Sequence, residues 1–161
     1  MRRTAIWCLC GFIVCGSFAC AQDATVTADV ALVSSGKKSK PRKADNVVLW
    51  LTPVGGAPVP DFPSANNGNR PRLLQKNKSF EPHVLVVPVG ASVEFPNRDP
   101  FFHNVFSLFE GKRFDLGLYE AGSTRNVVFD KPGISYIFCN IHSEMSAVVI
   151  AVSSPYYGIS D

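Results

Sequence analysis

The chain has 161 residues, 46% of them hydrophobic, and a formal net charge of +3, which fits one ordinary globular domain. Such a small positive excess gives no reason to expect nucleic-acid binding. The basic run between Lys37 and Lys43 sits among Ser, Gly and Pro residues, and such runs are more typical of solvated loops than of docking patches.

The first 21 residues have the features of a secretory signal peptide. Arg2 and Arg3 precede a short apolar run, and Ala19-Cys20-Ala21 is a small-residue cleavage site. The apolar run is too short to predict a membrane span. We therefore expect residues 1–21 to be removed near Ala21 and the mature protein to be periplasmic or secreted. A lipid anchor at Cys20 is the less favoured alternative.

Cleavage would leave Cys139 as the single cysteine, because the other four lie within the leader. A secreted protein with one thiol has no internal disulfide, so the remaining cysteine needs an explanation. Buried inert thiols are common. Here the His and Met residues spaced behind Cys139 favour a metal ligand instead.

After the leader, the chain has the pattern of an all-β protein. Val, Ile, Phe and Thr runs recur at short intervals between Gly, Pro, Asn and Asp residues, which is typical of a sandwich or barrel. Pro53–Arg72, crowded with Pro, Gly and Asn, is predicted to be a long loop. The predicted strands are Thr25–Val33, Asn46–Thr52, Val84–Val89, Ser92–Pro96, Asn104–Ser107, Thr124–Phe129, Ile134–Cys139 and Met145–Val152.

These elements divide the mature chain into three parts. Residues 79–153 are predicted to form the main sandwich. Residues 22–78, which hold the N-terminal strands and the Pro/Gly-rich loop, are too few for a core of their own and are expected to pack on that sandwich. Residues 154–161 form a tail.

The segment Cys139-Asn-Ile-His142-Ser-Glu-Met145 is the most informative part of the chain. It brings a thiolate, an imidazole and a thioether together at the end of a predicted strand, and a second imidazole, His103, stands upstream. Strand alternation puts Cys139 on the face of Ile137, so its thiol points inward. One Cys, two His and one Met form the ligand set of a mononuclear electron-transfer copper site, because soft sulfur favours Cu(I) while imidazole also accepts Cu(II).

From roughly Phe80 to Val152 the chain resembles the cupredoxins, the blue-copper family of plastocyanin, pseudoazurin and amicyanin. The shared landmarks are Phe80-x-Pro, Gly90-x-x-Val93, Asn97, His103-Asn104-Val105, Pro132-Gly133 and Cys139-x-x-His142-x-x-Met145. The tight spacing of the last of these, from Cys139 to Met145, is most similar to that of amicyanin.

The resemblance implies an all-β Greek-key sandwich, with the N-terminal strands as an extension. It also implies one copper ion per chain, held by the two histidines, the cysteine and a weak axial methionine: His103, His142, Cys139 and Met145. The side chain of Asn104 would tie the loop of His103 to the loop of Cys139. Of the adjacent Phe101 and Phe102, alternation leaves one exposed beside the copper site.

Some alternatives remain open at the site. Glu144 is the rival of Met145 for the axial position, although alternation favours a solvent-facing Glu144. His83 precedes an independent strand and is not expected to be a ligand. A Cys-His hydrolase is disfavoured because no helix N-terminus or orienting acid supports Cys139 and His142. Structural zinc is disfavoured because Met is a poor zinc ligand.

The expected function is that of a periplasmic, non-enzymatic carrier of single electrons. Its partners would be redox proteins, such as a dehydrogenase upstream and a cytochrome or an oxidase downstream. Copper storage or delivery with the same four ligands is the alternative.

Overall fold

The computed structural model describes residues 24–31, 44–55, 70–108 and 110–161. In these ranges the regular structure is entirely β, and no helix there is long and apolar enough to cross a membrane. The strands are β1 (Val48–Trp50), β2 (Leu74–Lys76), β3 (Ser79–Glu81), β4 (Val84–Pro88), β5 (Ser92–Pro96), β6 (His103–Ser107), β7 (Phe114–Tyr119), β8 (Thr124–Val128), β9 (Gly133–Cys139), β10 (Ser146–Val152) and β11 (Tyr157–Ile159).

Two layers of strands form the sandwich. The larger sheet has the order β4-β10-β9-β6-β7, with β4 and β10 parallel and the other neighbours antiparallel. In the facing layer β5 pairs antiparallel with β8. The β2–β3 hairpin extends this layer, because single bridges join Arg72 to Glu94 and Gln75 to Asn97 beside β5.

The core lies between the layers and follows the two-residue period of the strands. In β5, Val93 and Phe95 are fully buried, and in β9 Ile137 and Cys139 are buried whereas Tyr136 between two inward residues is exposed. All four inward residues belong to one core cluster. Cys139 ends its strand, so it lies at one end of the sandwich rather than in the middle.

The all-β prediction is confirmed, and each of the six strands predicted between residues 84 and 152 is present to within one residue at either end. Four strands were not predicted: β2, β3, β7 and β11. β2 and β3 have three residues each and are partly polar. β7 contains Asp115 and Gly117, residues that usually disfavour strands. The Gly117 N–H donates to Asp115 Oδ1, and the β6–β7 register shifts at this point, as in a β-bulge.

The N-terminal region differs from the prediction. The described part of the predicted strand Thr25–Val33, residues 25–31, contains no strand, so that prediction is wrong there. No strand of the described residues pairs with this segment, and a lone strand cannot satisfy its backbone hydrogen bonds. The second predicted strand is present as β1, which pairs antiparallel with β11. β11 lies in the segment 154–161 that was predicted to be a tail.

Three sequence predictions lie outside the described residues. They are the leader 1–21 with its cleavage site at Ala21 and its alternative anchor Cys20, the basic run Lys37–Lys43, and most of the loop Pro53–Arg72.

Candidate metal centre

Cys139 is a free thiol at the end of β9, 5% exposed and part of the main core cluster. It shares the inward face with Ile137, as strand alternation predicted. Its backbone N–H donates to the Met145 carbonyl over 3.3 Å. The thiol is therefore fixed beneath the loop that joins β9 to β10.

His103 is the first residue of β6 and is fully buried. β6 runs antiparallel to β9 with Val105 opposite Cys139, so alternation places His103 on the same inward face two residues away. Its Nδ1 lies 3.5 Å from Cys139 Sγ. Its Nε2 lies 2.9 Å from Asp99 Oδ2. An ionised carboxylate only accepts hydrogen bonds, so Nε2 carries a proton, and in the neutral imidazole Nδ1 then presents its lone pair towards the thiol.

His142 lies in the loop between β9 and β10, and its Nδ1 is 3.6 Å from Cys139 Sγ. The Met145 N–H donates to the His142 carbonyl over 3.0 Å and closes this loop. The imidazole is partly exposed. Its centroid lies 4.9 Å from that of His103 and 5.3 Å from that of Phe101. The second histidine is thus the one that connects the buried thiol with the surface.

Met145 is 1% exposed, whereas Glu144 is exposed. The β9–β10 register pairs Phe138 with Ser146, so Met145 stands opposite Cys139 as the pairing continues. Residues directly opposite on antiparallel strands place their side chains on the same face. This arrangement favours the thioether of Met145 over the carboxylate of Glu144 as a fourth donor.

The separations between donor atoms fit one bound metal ion. The ligand atoms of His103, Cys139 and His142 all lie within 4.8 Å of one another. Bonds of about 2.3 Å to sulfur and about 2.0 Å to nitrogen, at angles between tetrahedral and trigonal, require sulfur–nitrogen separations of about 3.5–3.7 Å. The two observed values, 3.5 and 3.6 Å, satisfy this condition. A thiolate with two imidazoles suits copper or zinc, and a buried thioether beside them favours copper.

The two histidines have different electrostatic surroundings. Burial alone would raise the pKa of Asp99, but the N–H groups of Lys78 and Asn77 and the His103 side chain outweigh it, so the pKa of Asp99 lies below its usual value. Burial lowers the pKa of His142, and electrostatic interactions with His103 and Lys78 act in the same direction. A neutral imidazole is the form that binds a metal, so this shift favours the ligand state of His142.

Apolar residues lie next to the two histidines, in contact with them or adjacent to them in sequence. Phe101 is half-buried, and its ring centroid lies 5.4 Å from that of His103. Phe102 is 52% exposed and Ile141 is 49% exposed. The prediction that only one of the two adjacent phenylalanines is exposed is confirmed. The ring of Phe101 shields the histidines from water, while Phe102 and Ile141 give the surface beside them an apolar character.

The tie between the two ligand loops is present, but the predicted role of the Asn104 side chain is wrong. Asn104 Nδ2 donates to Asp115 Oδ1 over 2.8 Å. The loops are joined instead by the backbone, where the Asn140 N–H donates to the Asn104 carbonyl over 2.9 Å. Alternation explains the difference, because the residue after the inward His103 in β6 has its side chain on the outer face.

His83 lies apart from the group formed by His103, Cys139 and His142. It is exposed, and its Nδ1 donates to the Ser146 carbonyl over 3.1 Å. Asp99, in contrast, contacts His103 directly and was not identified from the sequence. Part of the signal was available, because metal-binding histidines commonly donate their second ring N–H to a carboxylate, and Asp99 lies close before His103 in the sequence.

No protein-family model matches the chain, and no curated protein is similar enough in sequence to count as a relative. Among solved structures, a Cu-containing nitrite reductase from Thermus scotoductus SA-01 is similar over 52% of this chain, with 26% identity and a TM-score of 0.49. The similar part is only 22% of that enzyme's length.

Two smaller proteins are similar over the same share of the chain. A purple cupredoxin from Nitrosopumilus maritimus has 22% identity and a TM-score of 0.46, with 51% of this chain and 99% of that one covered. A reduced mutant of amicyanin has 20% identity and a TM-score of 0.48, with 52% and 82% covered. These likenesses are partial, so the interpretation of the site depends on the chain's own donor atoms.

Proposed function

We propose that this protein, whose β-sandwich and His-Cys-His group are cupredoxin-like, binds one copper ion and carries single electrons between redox proteins. His103, Cys139 and His142 would be the strong ligands, and Met145 the weak axial ligand. When bound, copper would supply a one-electron couple between Cu(I) and Cu(II).

The observation that supports this proposal is the placement of two imidazole Nδ1 atoms 3.5 and 3.6 Å from a buried cysteine sulfur. Three donors with these separations can share one ion without moving the backbone. A carrier benefits from this, because electron transfer is fast only when the site changes little between the two charge states.

The residues around the donors would position the ligands, limit the access of water and provide a path for the electron. Asp99 and the β6 backbone hold His103, which is fully buried. Phe101 contacts both imidazoles and limits the access of water. The partly exposed edge of His142, beside Phe102 and Ile141, is the shortest path from the surface to the site. An electron would enter and leave there, against an apolar patch of a partner protein.

This role is that of a carrier and not of an enzyme. We propose that the partners are a dehydrogenase as donor and a cytochrome or an oxidase as acceptor, and that the protein works in the periplasm after removal of its leader near Ala21. Copper storage or delivery by the same ligands is the competing role, and the two differ in whether Cu(I) stays bound.

The test is the optical and redox behaviour of the copper-loaded protein. We expect strong absorption towards the red end of the visible spectrum, from charge transfer between Cys139 and Cu(II), and repeated reduction and re-oxidation without loss of metal. Cys139→Ala should abolish the colour, whereas the control variant His83→Ala should keep it, because His83 lies outside the donor group.

A protein that takes up stoichiometric Cu(II) but stays colourless would contradict the proposed site. Rapid transfer of Cu(I) to a chelator, with the colour intact in the oxidised state, would support copper delivery and contradict the carrier role.

A further inference from the structure

Asp99 is the only carboxylate that contacts a member of the His-Cys-His group among the described residues. It is 4% exposed, and its Oδ2 accepts a hydrogen bond from His103 Nε2 over 2.9 Å. A nearly buried carboxylate needs several donors to offset the loss of water. The structure provides three donors, two of which come from a different part of the chain.

These two donors are backbone N–H groups of the turn between β2 and β3. The Asn77 N–H donates to Asp99 Oδ1 over 2.6 Å, and the Lys78 N–H donates to Oδ2 over 3.0 Å. Both turn residues have positive φ values, 55° and 56°, which is the conformation of a tight type I′ hairpin turn. The hairpin thus places two N–H groups side by side as a socket for one carboxylate.

The loop that carries Asp99 is fixed from the other side by Asn97, which is fully buried. The Asp99 N–H donates to Asn97 Oδ1 over 3.0 Å, and Asn97 Nδ2 donates to the Phe101 carbonyl over 2.8 Å. The carboxylate therefore has little freedom to turn away from His103. It reaches the imidazole in one orientation, with the socket behind it.

We propose that Asp99 is a positioning residue which holds His103 in its Nε2–H tautomer before metal binding and stabilises the Cu(II) state of the bound ion. This inference rests on the proposed copper site. A carboxylate hydrogen-bonded to the outer nitrogen makes the imidazole a stronger donor. Its negative charge also favours the more positive of the two copper states, which lowers the reduction potential.

The first measurement needs no copper. In metal-free wild-type protein, ¹⁵N NMR of the imidazole is expected to show His103 protonated at Nε2 and unprotonated at Nδ1. Asp99→Asn offers an amide in place of the carboxylate, so the Nδ1–H tautomer should gain population. A wild-type His103 that carries its proton on Nδ1 would overturn the proposal without any variant having to fold.

The second measurement is the reduction potential of the copper-loaded protein. Asp99→Asn is expected to shift the relative affinity for the two states towards Cu(I) by about tenfold, which is about 59 mV for one electron. Asp130→Asn is the matched control. Asp130 is exposed, pairs with Lys112, and lies near the start of β9, at the opposite end of that strand from Cys139. Asp99→Glu should restore most of the wild-type potential because it keeps the charge.

Equal potentials for Asp99→Asn and Asp130→Asn would overturn the electrostatic part of the proposal. If the role of Asp99 were purely structural, Asp99→Glu should change the reduction potential as much as Asp99→Asn does. If the wild-type protein bound no copper, the proposed function would fail, while the NMR result would still decide whether Asp99 orients His103.

Discussion

Met145 allows core packing and metal binding to be tested separately. Its side chain is 1% exposed and belongs to the same core cluster as Cys139. Truncation to Ala leaves a cavity, and such substitutions of buried Met cost about 2–5 kcal/mol. Each kcal/mol lowers the unfolding midpoint of a domain of about 60–100 residues by about 4–8 °C. We therefore expect metal-free Met145→Ala to melt at least about 8 °C below the wild type.

Two further substitutions complete the experiment. Met145→Leu nearly conserves volume and should cost less than about 1.5 kcal/mol, so it reports on the loss of the sulfur alone. Met145→Gln offers a harder oxygen donor, which favours Cu(II), and should keep the colour while lowering the reduction potential. A Met145→Ala protein that melts within about 2 °C of the wild type would refute the packing argument. An unchanged potential in both Met145→Leu and Met145→Gln would refute axial ligation.

Two other predictions concern the strand that carries the thiol and the exposed ligand. A Cβ at Gly111 would lie 2.6 Å from the Ile134 carbonyl oxygen, whereas at Gly122, which has a similar positive φ, it would meet nothing within 4 Å. Gly122→Ala should therefore lower the free energy of unfolding only by the conformational penalty of about 1–2 kcal/mol. Gly111→Ala should lower it by more, as measured by chemical denaturation. Equal losses of unfolding free energy would show that residue 111 does not contact β9. The pKa of His142 is lowered in the folded protein, so as the pH falls the imidazole binds a proton in the unfolded chain before it does so in the folded protein. Protonation then favours the unfolded state, and the stability of the folded state decreases as the pH falls below about 6.5. Between pH 7 and pH 5, metal-free wild type should lose more thermal stability than His142→Gln, and identical losses would contradict the shift.

The strands that build the site were predictable because they follow elementary rules. β5, β9 and β10 alternate between buried and more exposed residues, or are apolar throughout, and turn residues separate them. The inward position of Cys139 followed from the same alternation. Once that strand and its neighbour β6 lie side by side, His103 must come close to the thiol, since the register places Val105 opposite Cys139.

The strands that were not predicted show what the local sequence cannot indicate. β2 has the sequence Leu-Gln-Lys and β3 the sequence Ser-Phe-Glu, and neither carries enough alternation to be recognised by itself. They exist because their hairpin docks beside β5, where the Gln75 side chain is fully buried and bonds to Tyr119. Such strands are specified by tertiary contacts, which a reading of one segment at a time does not contain.

The same limit applies to the residues that support the ligands. The four candidate ligands were identified from residue type and spacing, because metal chemistry demands particular atoms. The choice between the side chain and the backbone of Asn104 as the tie between loops depends on which face of β6 it occupies. The role of Asp99 depends on a hairpin about twenty residues away in sequence. Contacts of this kind become visible only when the sheet is assembled.

Three backbone hydrogen bonds, none of which involves a metal, hold the donor group in place. The Asn140 N–H bonds to the Asn104 carbonyl, the Cys139 N–H bonds to the Met145 carbonyl, and the Met145 N–H bonds to the His142 carbonyl. Each ligand loop is therefore fixed to a strand of the larger sheet or to its own closing residue. Since none of these bonds involves the ion, we expect them to persist when the proposed copper gains or loses an electron. Such a frame would suit the proposed one-electron transfer, because the surrounding protein would have little to rearrange with each change of oxidation state.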